Sequence, residues 1–221
     1  MSKYVTFSFD DGTEQDKDLC AMLREYGYKC TFNLNSGIQS ASYCWEKEGK
    51  KVRRLNVDEA IEAYRGHEIA AHTLTHPRLE TLDDETVRNE VFYDKKNLEN
   101  WFGTEVVGLA YPCGSYDRRV MSLVRSCGIG YARTTGNSLC FDVPESLMDY
   151  RPTCHYASPE IFDLIEKFAL LPDDEERKVF FIWGHSFELY LRDEWGLLRR
   201  IFDALKDCGA QFVTNREAFG L

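Results

Sequence analysis

An α/β fold built on a parallel sheet is predicted by three features of the sequence. Strand-like and helix-like segments alternate along the whole chain. Glycine, proline or acidic turns punctuate that alternation. Polar clusters recur directly after the strand-like segments, where an α/β barrel builds its active face. The 221 residues suit one domain, because barrels of this length commonly stay undivided, and no internal repeat, low-complexity tract or linker interrupts them.

The elements follow in order. Tyr4 to Phe9, β-branched and aromatic, predicts the first strand, ended by the turn Asp10-Asp11-Gly12. Lys17 to Tyr26 has helical spacing (Leu19, Met22, Leu23, Tyr26) and stops at Gly27. Lys29 to Leu34 is the second strand. The polar stretch from Asn35 to Asn56, with the charge run Glu46 to Lys51, reads as an inserted surface excursion, a solvated loop first and otherwise one of the kind that often borders a site. Asp58 is the expected N-cap of a helix through Arg65, and Gly66 to Ala71 the third strand. Asp83-Asp84-Glu85 opens a helix to about Trp101, stopped by Gly103. Val106 to Tyr111 returns as a strand that Pro112-Cys113-Gly114-Ser115 breaks. A helix from Arg118 to Cys127 and a strand over Gly128 to Ala132 follow. After an irregular stretch come a strand-like segment over Arg151 to His155 and a helix from Pro159 to Leu171. Then follow the apolar strand Val179 to Trp183, a helix from Glu194 to Cys208 and a last strand at Gln211 to Thr214.

Composition narrows the function. Hydrophobic residues at 43% and charged residues at 29% are ordinary globular usage and exclude disorder and fibrous repeats. With 27 Lys+Arg against 37 Asp+Glu, the net charge of −10 disfavours nucleic acid and anionic membrane as partners. A small-molecule or oligosaccharide substrate is the expected partner, and the oligomeric state is left open. No export signal, lipidation motif or membrane-length apolar run is visible, so a cytoplasmic location is expected. Eight dispersed cysteines without a Cys-x-x-Cys pair are expected as free thiols, not as a disulfide framework or a cysteine zinc site.

Three polar clusters share one topological position. Adjacent carboxylates at Asp10-Asp11 raise each other's pKa unless a cation compensates; the alternative is an ordinary Asx turn with Gly12. His72-Thr73-Leu74-Thr75-His76 aims two imidazoles at one ion if the loop is fixed, and otherwise carries surface histidines. His185 reads as a third ligand, a general acid or a core histidine. His67, at a strand start on the opposite rim, and His155, in a loop without a second motif, are left out of direct roles, although His155 could line a pocket. Tyr116, Trp183 and Trp195 are either core residues or walls of a sugar cleft.

Taken in order and spacing, Ser8-Phe9-Asp10-Asp11-Gly12, His72-Thr73-Leu74-Thr75-His76-Pro77, Tyr111-Pro112-Cys113-Gly114 and Trp183-Gly184-His185-Ser186 resemble the polysaccharide deacetylase family. This is the NodB-homology domain, or carbohydrate esterase family four. The resemblance implies a distorted (β/α)₇ barrel and a divalent metal, zinc first, with cobalt or another divalent ion as alternatives, held by Asp11, His72 and His76. One carboxylate and two neutral imidazoles with an open position suit a catalytic zinc site. The resemblance further implies Asp10 as the base, His185 as the acid that protonates the departing amine, and the Cys113 backbone N–H as an oxyanion donor. Tyr111, Pro112 and Gly114 form the substrate-side motif around Cys113.

Two departures stand out. The family's third motif carries an arginine two residues before its proline, where this chain has Ala110; Arg151 is the expected replacement partner for Asp10. Relatives acting on chitin, peptidoglycan or xylan are mostly exported, which points this chain to an intracellular substrate. The expected reaction is removal of acetyl groups from an N-acetylated sugar or oligosaccharide. The alternatives are hydrolysis of another linear or cyclic amide, as in allantoinase-like relatives, or a binding protein whose catalysis is impaired at Ala110.

Overall fold

The computed structural model describes residues 2–172 and 176–221. Its strands are β1 (Lys3–Asp10), β2 (Thr31–Leu34), β3 (Cys44–Lys47), β4 (Lys50–Arg53), β5 (Glu68–Ala71), β6 (Gly108–Ala110), β7 (Tyr131–Arg133), β8 (Cys154–His155), β9 (Lys178–Gly184) and β10 (Gln211–Phe212). Its helices are α1 (Asp16–Tyr26), α2 (Val57–Ala63), α3 (Asp84–Phe102), α4 (Arg118–Ser126), α5 (Ile161–Ala169), α6 (Ser186–Arg192), α7 (Trp195–Leu205) and α8 (Asn215–Phe219).

The main sheet runs β7-β6-β5-β2-β1-β9-β8, and β10 pairs with the start of β1. Every pair in it is parallel. The curled sheet with helices packed outside it is a distorted (β/α)₇ barrel, as expected from the sequence. β1 and β9 pair over seven positions and are buried along almost their whole length. Strands covered on both faces read as continuous apolar runs, which is why both were visible in the sequence. No helix among the described residues is long and apolar enough to cross a membrane, and all eight cysteines are free thiols.

Several boundaries move. Asn56, not Asp58, caps α2: its side chain accepts from the Glu59 N–H at 2.9 Å while the Glu59 carboxylate accepts the Asn56 N–H at 3.0 Å. That helix ends at Ala63, short of Arg65. The strand expected over Gly128 to Ala132 sits later, at Tyr131–Arg133, so Arg133 becomes its last residue.

The largest difference lies in the excursion from Asn35 to Asn56. It contains an antiparallel hairpin, β3–β4, with Cys44 opposite Arg53 and Lys47 opposite Lys50. The hairpin docks on α6, an additional helix directly after His185. Val52, Phe187, Leu191 and Trp45 form a small apolar cluster between them, and the Lys50 ammonium donates to the carbonyls of Tyr190 (2.9 Å) and Leu191 (3.1 Å). A segment polar enough to read as a loop therefore stands as a fixed wall.

Candidate active site

Parallel register places the C-terminal ends of the strands in one row. Phe9 is level with Gly184, Asp10 with Asn33, Leu34 with Ala71, Ala71 with Leu109, and Ala110 with Arg133. The residues at or just beyond those ends are Asp10, Asp11, His72, Cys113, Arg133 and His185, so one face of the barrel collects them. Four non-glycine residues there adopt left-handed backbone: Asp11 (φ 79°), Thr73 (φ 67°), His76 (φ 64°) and Cys113 (φ 56°). Such conformations cost about 1–3 kcal/mol each and persist only where the surroundings hold them.

The 72–76 loop is held from three sides. The His72 N–H reaches the Leu34 carbonyl (2.8 Å) and the Asp94 carboxylate (3.0 Å). The Asn35 side-chain amide donates to the carbonyls of His72 and Thr73. Glu90 accepts from both the Thr75 N–H (2.9 Å) and its hydroxyl (2.6 Å). These braces make the loop the fixed one of the two alternatives left open by its sequence.

Asp10 is buried. Its Oδ1 accepts from Arg133 Nη2 and from Asn33 Nδ2 (2.8 Å). Its Oδ2 faces the site, 4.0 Å from His72 Nε2 and 3.9 Å from His185 Nε2. Burial opposes its charge, but the Arg133 guanidinium and the neighbouring imidazoles outweigh that and hold the carboxyl below its ordinary range. Arg133 is itself wholly buried, bonded through Nε to the Ser8 hydroxyl (3.2 Å) and lying 5.0 Å from the Trp183 ring centre. Asp11 Oδ1 lies 4.0 Å from His76 Nε2, and its Oδ2 lies 3.8 Å from His185 Nε2. Against the penalty of burial, His185 and Arg54 lower its pKa to about 2.

His185 sits among three carboxylates, with Asp10 and Asp11 near Nε2 and Glu188 Oε1 3.6 Å from Nδ1. Burial disfavours its charge, yet Glu188, Asp11 and Asp10 together raise its pKa above the ordinary histidine value.

Among the described residues, two groups of side chains are close enough to hold a cation: Asp11, His72 and His76, and separately His155, His185 and Glu188. Ring tautomers distinguish them. His72 Nδ1 lies 2.7 Å from the Ala110 carbonyl and must donate to it, so the Nε2 lone pair is free, and burial lowers its pKa to about 4. His155 Nδ1 instead accepts the Ala157 N–H at 3.2 Å, which places the ring proton on Nε2, 3.1 Å from Glu188. The first group fits a divalent cation; the second is a hydrogen-bonded brace behind His185. Beside Asp11 and His76 opens a cup of about 420 Å³ walled by Ile38, Tyr43, Trp45 and Phe187.

The protein-family model described as polysaccharide deacetylase matches residues 1–132. The chain belongs to the polysaccharide deacetylase family. A curated relative in Bacillus subtilis (strain 168), named "Putative polysaccharide deacetylase YxkH", is 27% identical over 135 residues, which is 60% of this chain and 45% of that protein. This chain therefore matches about half the length of that curated relative.

Among solved structures, the chitin deacetylase of the fungal pathogen Colletotrichum lindemuthianum superposes with a TM-score of 0.66 at 20% identity, covering 97% of this chain and 86% of that one. The Xyl-CE4 domain of a multidomain xylanase from the hindgut metagenome of Trinervitermes trinervoides gives 0.66 at 19%, covering 100% and 91%. BA3943 of Bacillus anthracis, a CE4 family pseudoenzyme, gives 0.64 at 16%, covering 98% and 65%. At these identities the likeness speaks for the fold.

In this polysaccharide deacetylase family member the expected partner of Asp10 is corrected. Arg151 is exposed and not among the groups that bond to Asp10; the arginine that does so is Arg133. The two follow different strands' geometry, since Arg133 ends β7 on the site face. Tyr111 contributes no side chain to the site: it is buried, stacked on Tyr116 at 5.0 Å, with its hydroxyl donating to the Met148 carbonyl at 2.8 Å. Pro112 is buried, and Cys113 stands exposed on the turn. Gly114 has φ 65°, and a Cβ there would meet Thr135 Oγ1 at 2.2 Å, so only glycine lets the turn approach that closely. Trp183 supports Arg133 and is mostly buried, and Trp195 packs against the core. His67 lines a cavity with Glu68 and Arg216, apart from the cup.

Arg133, Arg54, Asn33, Asp94 and Glu188 carry site contacts that the sequence reading did not assign. Arg133 obeys the same rule that singled out Asp10 and His185, a polar residue at the end of a strand. The apolar run Gly128 to Ala132 hides it, because β7 continues one residue past Ala132.

Proposed function

We propose that this protein is a metal-dependent hydrolase that removes acetyl groups from an N-acetylated sugar or oligosaccharide. The observation that carries the reading is the convergence of Asp10 Oδ2, His185 Nε2 and the Asp11–His72–His76 group on one face. Asp11, His72 and His76 would hold the divalent cation, with zinc first by the softness of two imidazoles and one carboxylate. A cation bound there supplies Lewis acidity to water and to the acyl oxygen.

The chain's own residues divide the remaining work. Asp10, kept ionised by Arg133, takes the proton of the attacking water at Oδ2. The water oxygen bonds to the acyl carbon, and the backbone N–H of Cys113 offers a hydrogen bond to the oxygen that gains charge. His185, whose pKa Glu188, Asp11 and Asp10 raise, gives its Nε2 proton to the nitrogen as the carbon–nitrogen bond breaks. The products are acetate and a free amine. Glu188, backed by His155, holds the His185 ring from the other side.

The binding-protein reading was motivated by Ala110, and Arg133 supplies the positive charge that Ala110 lacks, which favours turnover. The aromatic walls of the cup favour a compact substrate, whether a terminal sugar or another amide.

The test is acetate release from a panel of N-acetylated mono- and oligosaccharides, run beside cyclic imides and ureides, with metal analysis of the same sample. Expected are acetate release from the sugars, its loss on chelation and its return with zinc. Turnover of cyclic amides alone would replace the substrate assignment. Bound metal with no turnover on either panel would favour the binding protein, and activity indifferent to chelator would overturn the metal reading.

A further inference from the structure

Arg54 takes no part in the reaction described above, yet it is 3% exposed and makes two bonds to one residue. Its Nη2 lies 3.0 Å from Asp11 Oδ1, and its Nη1 donates to the Asp11 main-chain carbonyl. The guanidinium stands over the rings of Tyr43 (5.4 Å) and Trp45 (5.8 Å). The backbone around it is fixed as well: the Arg54 N–H donates to the Tyr43 carbonyl (3.1 Å) and the Leu55 N–H to Gly12 (2.9 Å), and Thr13 bridges to Arg54. Gln39 ties Gly12 to Leu55 with bonds of 2.8 and 2.9 Å.

Asp11 needs such help. Its φ of 79° belongs to glycine's territory, but a glycine there would bring no carboxylate. Something outside the turn must hold both its peptide and its side chain. A guanidinium can reach a carbonyl and a carboxylate oxygen at once, whereas an ammonium is a point charge on a flexible stem. With Oδ1 occupied by Arg54, the carboxylate cannot turn away from the histidines.

We propose that Arg54, carried in on the β3–β4 excursion, is the positioning residue for Asp11, clamping the left-handed turn that presents this carboxylate to the cation. The proposal rests on Asp11 being a metal ligand.

The experiment is calorimetric titration of zinc into the full chain after stripping with chelator, comparing wild type, Arg54→Met, Arg54→Lys and Val52→Ala. Outer partners of metal ligands typically contribute 10–100-fold in affinity. Arg54→Met is expected to lose about that much, and Arg54→Lys most of the same, because charge without the forked geometry does not hold the turn. Val52→Ala loosens the hairpin's packing on α6 without touching Asp11 and is expected to bind as wild type.

Wild-type affinity in Arg54→Met, full rescue by lysine, or an equal loss in Val52→Ala would each overturn the proposal. If Arg54→Met does not fold by circular dichroism, Arg54→Lys decides: a tenfold loss supports the clamp and unchanged affinity rejects it. No zinc uptake by wild type would overturn the ligand assignment of Asp11, His72 and His76 together with the clamp. Uptake unaffected by the arginine substitutions would overturn the clamp alone.

Discussion

Asp10 ends β1 and Arg133 ends β7, with β2, β5 and β6 between them in the sheet, yet the two bond to each other across the barrel interior, 123 positions apart in the chain. Neither would be tolerable there alone: Asp10 is 2% exposed and Arg133 wholly buried. The pair fixes one oxygen of Asp10 and leaves the other directed at the histidines, so a structural contact also determines which atom is available as a base.

Asp10→Asn preserves the shape of the side chain and removes the proton acceptor. Deacetylation should fall by about 10²–10⁴-fold, the usual worth of general base catalysis. Zinc content should stay at the wild-type level, because Asp10 lies outside the ligand group. Rate assays and metal analysis on one preparation check both halves.

Arg133→Met leaves the Asp10 charge buried without its partner. A loss of about 3–5 kcal/mol is expected, as when a buried ion pair is broken from one side. Arg151→Ala, at an exposed position, should stay within about 0.5 kcal/mol of wild type. Urea denaturation of the two variants measures the contrast.

Asp16, at the start of α1, is fully buried, and Tyr64 donates its hydroxyl to Oδ2 at 2.6 Å. Burial pushes its carboxyl up to about 7, with nearby Asp11 and Asp10 adding to the shift. The folded state therefore keeps a proton that the unfolded chain releases near the ordinary carboxyl value of 3.8. This group's contribution is fully present below about pH 4 and declines by about 1.4 kcal/mol per unit as the pH rises to about 7. Asp16→Asn should lack that component. Denaturation of both proteins from pH 4.5 to 8 should show wild type losing stability relative to the variant, and parallel curves would refute it.

Asp94 accepts the N–H of Ser36 at 2.7 Å and that of His72 at 3.0 Å. Asp94→Ala takes the side-chain acceptor from both, and about 1–3 kcal/mol of stability should go with it. The His72 loop would lose its brace, so zinc affinity should fall at temperatures where the variant remains folded. Thermal melting and zinc titration follow the two effects separately.

The residues Asp10, Asp11, His72 and His76 were legible because they stand in short local motifs at strand ends. What the sequence concealed depends on distant contacts. Cys44-Trp45-Glu46-Lys47 reads as loop by its charges, and becomes a strand because Trp45 packs on Phe187, whose ring centre lies 5.6 Å away. The helix after His185 was hidden because Phe187, Leu189 and Leu191 alternate with polar residues, a period of two within helical backbone. The substitute for Ala110 could not be found nearby in sequence, since it reaches Asp10 across the barrel interior.

The central pairing of β1 with β9 has a kinetic consequence. Phe9 meets Gly184 in register, so the first strand acquires its main neighbour only when most of the chain has emerged. Contacts of such wide separation carry a large closure entropy and slow folding. Until then the N-terminal strand presents an unpaired apolar edge, the kind of surface on which nascent chains aggregate. The approach of His185 to Asp10 is thus a late event in the birth of the molecule.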